Sequence, residues 1–141
     1  MSLMEENKGL VRRMEEEIFN KRNVAAVDEF LAPGYVLRTA PEGTPSSRDA
    51  VKQFIGMYLE AFPDLRISID ELLAVEDKVV GRFTFTGTHG GELMGLPPTQ
   101  RRISVRQIAI YRIENGKVVE EWEVPDQLGL MQQLGALPAA G

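Results

Sequence analysis

The hydrophobic period of this chain changes once, near Leu65, and that change constrains the fold more than any other feature. Before it, apolar residues recur at helical spacing. Leu10, Met14 and Ile18 stand four apart, with Val11 and Phe19 widening the stripe, which predicts a helix over 5–22. Arg12, Arg13 and residues 15–17 are expected mostly on its other face. A short helix is expected over 24–31, with Asn23 as N-cap and Pro33-Gly34 as the stop. Ser46 with Asp49 reads as a capping box opening a third helix, which carries Val51, Phe54, Ile55, Tyr58 and Phe62 and ends at Pro63.

After Leu65 the period is two. Leu65, Ile67 and Ile69 alternate with Arg66, Ser68 and Asp70, as in a half-buried strand. Strands are expected over 79–89, 101–113 and 117–124. Asn115-Gly116 joins the last two, because both residues tolerate the positive φ of a tight hairpin. A short helix over 127–134 stops at Gly135. Helices first and a strand meander after define an α+β fold, with helices on one face of an antiparallel sheet. The 141 residues make one domain over 1–141, with residues 1–4 read as a vector-derived or frayed leader and 136–141 as a frayed tail.

Composition mainly excludes. Sixteen Lys and Arg against 21 Asp and Glu leave a net charge of −5, a poor match for nucleic acid or an anionic membrane. The chain has no cysteine and one histidine, so thiolate zinc sites, iron–sulfur clusters, cysteine nucleophiles and multi-histidine metal sites are out. No metal and no cofactor is expected. No apolar run is long enough to span a membrane, and the acidic, helical N-terminus lacks a secretory pattern, so a cytoplasmic location is expected.

Counting by twos shows which polar groups share a face with the core. Gly81, Phe83, Phe85, Gly87 and His89 form one row; Ile103, Val105, Gln107, Ala109, Tyr111 and Ile113 a second; Val118, Glu120, Trp122 and Val124, continued by Asp126, a third. His89, Gln107 and Asp126 interrupt these rows. If the rows share one concave surface, the three converge in an apolar pocket walled by Trp122, Phe54, Tyr58 and Phe62, the usual form of a small-ligand site. Desolvation there would raise the carboxyl pKa of Asp126 and suit it to acid–base work. One bulge would reverse this parity.

Each residue also has a plainer reading. Asp126 opens a helix and makes a good N-cap. His89 suits a surface or backbone-bonded role, Gln107 a partner for a backbone group, and the aromatic residues an ordinary core. Glu120 reads as solvated, and Arg101, Arg102 and Arg106 as part of a salt-laced sheet face. The 90–100 loop reads as a pocket rim or an oligomer contact. Ile108 and Ile110 lie opposite the core, so a homodimer through that sheet face is expected.

The run Gly87-Thr88-His89-Gly90-Gly91-Glu92-Leu93-Met94-Gly95-Leu96-Pro97-Pro98-Thr99 resembles the signature loop of the SnoaL-like polyketide cyclase family. Phe62-Pro63-Asp64-Leu65, Tyr111-Arg112-Ile113-Glu114-Asn115-Gly116-Lys117 and Glu120-Glu121-Trp122 leading to Asp126-Gln127-Leu128-Gly129-Leu130 agree with it. The resemblance implies a nuclear transport factor 2-like cone, a curved antiparallel sheet wrapped by helices around a cavity. It also implies ring closure of a polyketide ester by aldol condensation without a cofactor, with an aspartate at the position of Asp126 as acid and base. The family places a histidine and a glutamine nearby; Gln107 fits the amide, but the penultimate strand has no histidine. The expected function is cofactor-independent acid–base chemistry on a small apolar carbonyl compound: ring closure, isomerisation or dehydration. Asp126 abstracts a proton, and His89 or Gln107 donates to the enolate oxygen. The alternative is a non-catalytic ligand-binding or assembly module, favoured if Asp126 is exposed and engaged only in capping.

Overall fold

The change of period near Leu65 divides the structure, a computed structural model that describes residues 1–137, into a helical part and a meander. Helix α1 (Leu3–Glu15) starts earlier than its apolar stripe indicates, because Ser2 Oγ accepts the Glu5 N–H at 3.1 Å. Residues 3 and 4 are therefore helical, not frayed. Of the expected frayed tail, residues 138–141 lie outside the described residues, and the Ala136 N–H donates to Met131 O at 2.9 Å. The helix widens into a π-turn, Glu16–Asn20. The Asn20 amide then docks on the sheet, donating to Ile67 O at 3.1 Å and accepting the Ile67 N–H at 2.9 Å.

The expected second helix is one 3-10 turn, Val24–Ala26, followed by one α turn, α2 (Val27–Phe30), and the Asn23 side chain caps neither. Pro33-Gly34 is not a helix stop but part of strand β1 (Leu31–Leu37). Proline is tolerated there because β1 is an edge strand whose pairing is irregular between Leu31 and Val36. Helix α3 (Arg48–Ala61) is capped by Ser47, one residue after the expected Ser46; its Oγ accepts the Ala50 N–H at 3.2 Å.

Strands β2 (Arg66–Val75), β3 (Lys78–Thr88), β4 (Arg102–Glu114) and β5 (Lys117–Pro125) form the antiparallel meander, and α4 (Gln127–Gln133) follows. Asn115 and Gly116 adopt φ of 51° and 76°, as the hairpin requires. The sheet order is β1-β5-β4-β3-β2. β1 runs parallel to β5, which corrects the all-antiparallel expectation and makes the sheet mixed.

One irregularity decides the site. Arg112 pairs with Glu120 and Ile113 with Val118, so Val119 is an extra residue in β5. From Glu120 onward the faces of β5 are the reverse of those expected from simple alternation. Glu121 and Glu123 point to the helix-covered face, opposite Tyr111 and Ala109, while Trp122 and Val124 point outward, opposite Ile110 and Ile108.

Two apolar clusters fill the covered face. One joins Val11, Met14, Tyr35, Phe83 and Tyr111; the other joins Phe62, Leu93, Ile103, Val105 and Leu130. Ile55 and Phe85 pack against both and remain partly exposed, marking a seam between them. The 90–100 loop folds onto the C-terminal end of α3, with Leu93 in the core, so it is more than the expected rim. Gly91 permits that approach, since a Cβ there would stand 2.6 Å from Glu60 O. Among the described residues, no helix is long and apolar enough to cross a membrane.

Candidate active site

The structure separates the three polar groups expected to converge. His89 is completely buried in the second cluster, where its Nδ1 accepts the Thr99 N–H at 3.2 Å and lies 3.0 Å from Thr99 Oγ1. Its ring sits 5.5 Å from that of Phe62. Along the β3–β4 ladder His89 is bonded to Arg101, whereas Gln107 pairs with Phe83. That offset of six residues at about 3.3 Å each puts them about 20 Å apart. His89 therefore fixes the 90–100 loop and does not meet Gln107.

Asp126 is exposed, and its Oδ1 accepts the Gly129 N–H at 2.9 Å as the N-cap of α4. The plainer reading of this residue describes its present contacts. It still stands beside Gln107, because Gln107 pairs with Pro125 and the Asp126 N–H donates to Arg106 O at 2.9 Å. Trp122 is a second correction: after the Val119 bulge it lies on the outer face and walls no inner pocket. Phe54, Tyr58 and Phe62 form an aromatic ladder along α3, with ring centroids 4.9 and 6.3 Å apart. It grades from half-exposed Phe54 to fully buried Phe62. Tyr58 is half-buried, its hydroxyl 3.5 Å from Gln127 Nε2, next to Asp126.

One groove borders part of the expected pocket. A groove of about 570 Å³ borders Gln107 and Phe83 and is otherwise edged by Asp70, Arg82, Thr84, Arg106 and Ile108. Another, of about 600 Å³, lies against Arg12, Arg13, Glu16 and Phe30. Neither is lined by Phe54, Tyr58 or Trp122.

The sheet's inner face instead holds a group of acids and phenols that periodicity did not reveal. The Tyr35 hydroxyl donates to Glu121 Oε1 at 2.7 Å, and the Tyr111 hydroxyl to Glu15 Oε1 at 2.8 Å. All four residues are buried. Glu123 lies in the same row, half-buried, two residues beyond Glu121. Burial raises the Glu15 carboxyl to about 7, against the Tyr111 hydrogen bond, which lowers it. Burial raises Glu121 well above the carboxylate range, and the charge of Glu123 adds to this. Burial likewise raises both phenols. A carboxyl held near neutrality can give or take a proton, and one held well above it can donate a hydrogen bond as a neutral acid.

Two features hid this group. Glu15 is placed on the polar side by the helical stripe, yet it is the last residue before the π-turn and faces inward. Glu121 and Glu123 are placed outward by strict alternation, and only the bulge turns them in. A pair of valines at 118 and 119, breaking the alternation ahead of Glu120, was the one available signal. Ala109 stands opposite Glu123 and pairs on its other side with Gly81, where the Phe83 ring packs. Among the described residues, no three or more His, Asp or Glu side chains are grouped so as to hold a metal ion.

Comparison with known proteins places this geometry in a family. The description "SnoaL-like polyketide cyclase" matches residues 9–134. The chain is 31% identical to the nogalonic acid methyl ester cyclase of Streptomyces nogalater over 121 residues, covering 83% of this chain and 89% of that protein. It is 34% identical to the aklanonic acid methyl ester cyclase DnrD of Streptomyces peucetius over 130 residues, covering 89% and 88%. Among solved structures it superposes on AclR of Streptomyces galilaeus, described as a candidate hydroxylase, with a TM-score of 0.87 and 35% identity, over 98% of this chain and 86% of that one.

Proposed function

Because the chain belongs to the SnoaL-like polyketide cyclase family, we propose that it closes a ring on a polyketide methyl ester by intramolecular aldol condensation, without a cofactor. Asp126 takes the proton α to a carbonyl, and Gln107, which faces inward one ladder pair away, donates to the developing enolate oxygen. His89 has no part in the reaction, since it is buried about 20 Å along the sheet from Gln107. Partly exposed Ile55 and Phe85, between the two clusters, offer apolar surface to a small, largely apolar substrate. The observation that carries this reading is the identity of 31% and 34% to two methyl ester cyclases over most of each chain.

Asp126→Asn tests it, because asparagine caps a helix about as well as aspartate. Turnover of nogalonic or aklanonic acid methyl ester should vanish while thermal stability holds; full activity removes Asp126 from the mechanism. Binding without catalysis is favoured by one observation, the exposure of Asp126 and its engagement in the cap. It becomes the better reading if wild type and variant bind the ester equally and neither converts it. The likeness to AclR adds a further outcome to watch, since hydroxylation adds an oxygen atom and ring closure leaves the mass unchanged.

We further propose a homodimer through the outer sheet face. There the pairs Ile110–Trp122 and Ile108–Val124 make an apolar patch, with Ile108 and Val124 exposed by 52% and 70%. A cytoplasmic location completes the proposal, and fractionation of the producing cell tests it.

A further inference from the structure

The chain has three tyrosines, and they use their hydroxyls differently. Tyr35 and Tyr111 each donate to a buried carboxyl, Glu121 and Glu15, at 2.7 and 2.8 Å. Tyr58 is on the receiving side. Its hydroxyl oxygen accepts from Gln127 Nε2 at 3.5 Å, and among the described residues its own O–H meets no acceptor. A half-buried phenol in that state keeps a donor available to a ligand. Its position is set from two sides. Along α3 the ring lies between Phe54 and Phe62, with centroids 4.9 and 6.3 Å away, and this packing holds its direction. From α4, Gln127 directly follows Asp126, whose N–H donates to Arg106 O, next to Gln107. The contact between the two helices thus brings the Tyr58 hydroxyl to the same end of the sheet as Asp126 and Gln107. Ile55, part of the apolar surface offered to the substrate, stands three residues before Tyr58 on the same side of α3.

We propose that the Tyr58 hydroxyl is a further catalytic group, donating a hydrogen bond to the oxygen of the carbonyl that the ring closure attacks. The inference rests on the ring-closure reading and deepens it. Asp126 removes the proton α to one carbonyl, and Gln107 holds the enolate oxygen. The enolate carbon then forms the new C–C bond to the second carbonyl carbon, whose C=O π pair moves onto its own oxygen. Tyr58 donates to that oxygen as the charge arrives and keeps its own proton. The proton held by Asp126 passes to the alkoxide, which leaves a hydroxyl group on the ring and Asp126 ionised again. No atom is gained or lost, and no redox partner is needed. Because Phe54 and Phe62 already hold the phenol, the donor is in place before the charge develops, the condition under which such a bond lowers a barrier.

The experiment compares wild type, Tyr58→Phe and Asp126→Asn on nogalonic acid methyl ester. Phenylalanine keeps the ring between Phe54 and Phe62 and removes only the hydroxyl. Losing one donor at a developing oxyanion should lower kcat on the order of 100-fold with KM little changed. Wild-type kcat in Tyr58→Phe, with KM either unchanged or raised, overturns the catalytic role; if Asp126→Asn is inactive, the ring-closure reading still stands. Should the wild type not convert the ester, that reading fails first, and the infrared spectrum of the bound ester, with isotope-labelled carbonyls, decides whether Tyr58 reaches the oxygen. A carbonyl stretch at lower frequency in wild type than in Tyr58→Phe supports the hydrogen bond; identical spectra overturn it.

Discussion

Glu120 and Glu121 are adjacent on β5 and lie on opposite faces of it. Glu120 faces outward, hydrogen-bonded to Arg112 and, at 2.6 Å, to Arg38; these guanidinium groups hold its carboxyl below the usual range. Glu121 faces inward, where burial and the nearby Glu123 push its carboxyl the other way. The same side chain is therefore held as an anion on one face and pushed towards its neutral form on the other. The Val119 bulge, a backbone feature, decides which residue takes which part. The contrast extends to the neighbouring strand, where Ala109 is fully buried inside and Ile108 is half-exposed outside.

Three experiments press on this contrast, and the largest effect is expected from Ala109→Asp. It adds an unpaired carboxyl to the inner row opposite Glu123, and should cost on the order of 4 kcal/mol, readable by denaturant unfolding. A stable variant would mean that the inner face is wetter than its burial indicates.

Glu15→Gln comes next. Between the ordinary value of 4.5 and about 7, the folded state holds the Glu15 proton and the unfolded state does not. Stability contributed by this group is therefore present at low pH and lost as pH rises through that window, levelling off above it. At about 1.4 kcal/mol per pH unit, the fall is on the order of 3 kcal/mol. The variant should show a flatter stability profile and exceed wild type above pH 7; a slope unchanged by the substitution contradicts the assignment to Glu15.

The smallest effect on the fold is expected from Ile108→Asp. On the exposed face it should change protomer stability by less than about 0.5 kcal/mol. In sedimentation at micromolar concentration it should convert the proposed dimer to monomer. A monomeric wild type sinks the dimer.

The same contrast explains what could be read in the sequence. The α+β order, the Asn115-Gly116 hairpin, the α3 stripe and the cap at Asp126 follow from local periodicity and turn chemistry, and these were legible. The parallel pairing of β1 with β5 was not, because it joins segments distant in sequence. Nor was the identity of the inner acids. A single extra residue at Val119 exchanges Trp122 for Glu121 and Glu123, and Glu15, four residues after buried Val11, shares the buried face of α1 although its charge reads as polar surface. Composition excluded thiol and multi-histidine chemistry and so directed attention to carboxylates. Among these, periodicity singled out Asp126 and left the inner acids unseen. Asp126 is at the exposed edge of the site, whereas Glu15 and Glu121 are buried on the inner face and Glu123 is half-buried beside them.

The most direct measurement is a single incubation of the purified wild-type protein with nogalonic acid methyl ester, followed by chromatography and mass spectrometry. Ring closure should give a new product of unchanged mass whose formation needs no added cofactor. An ester left unconverted at excess protein, or a product that has gained oxygen, would contradict the account.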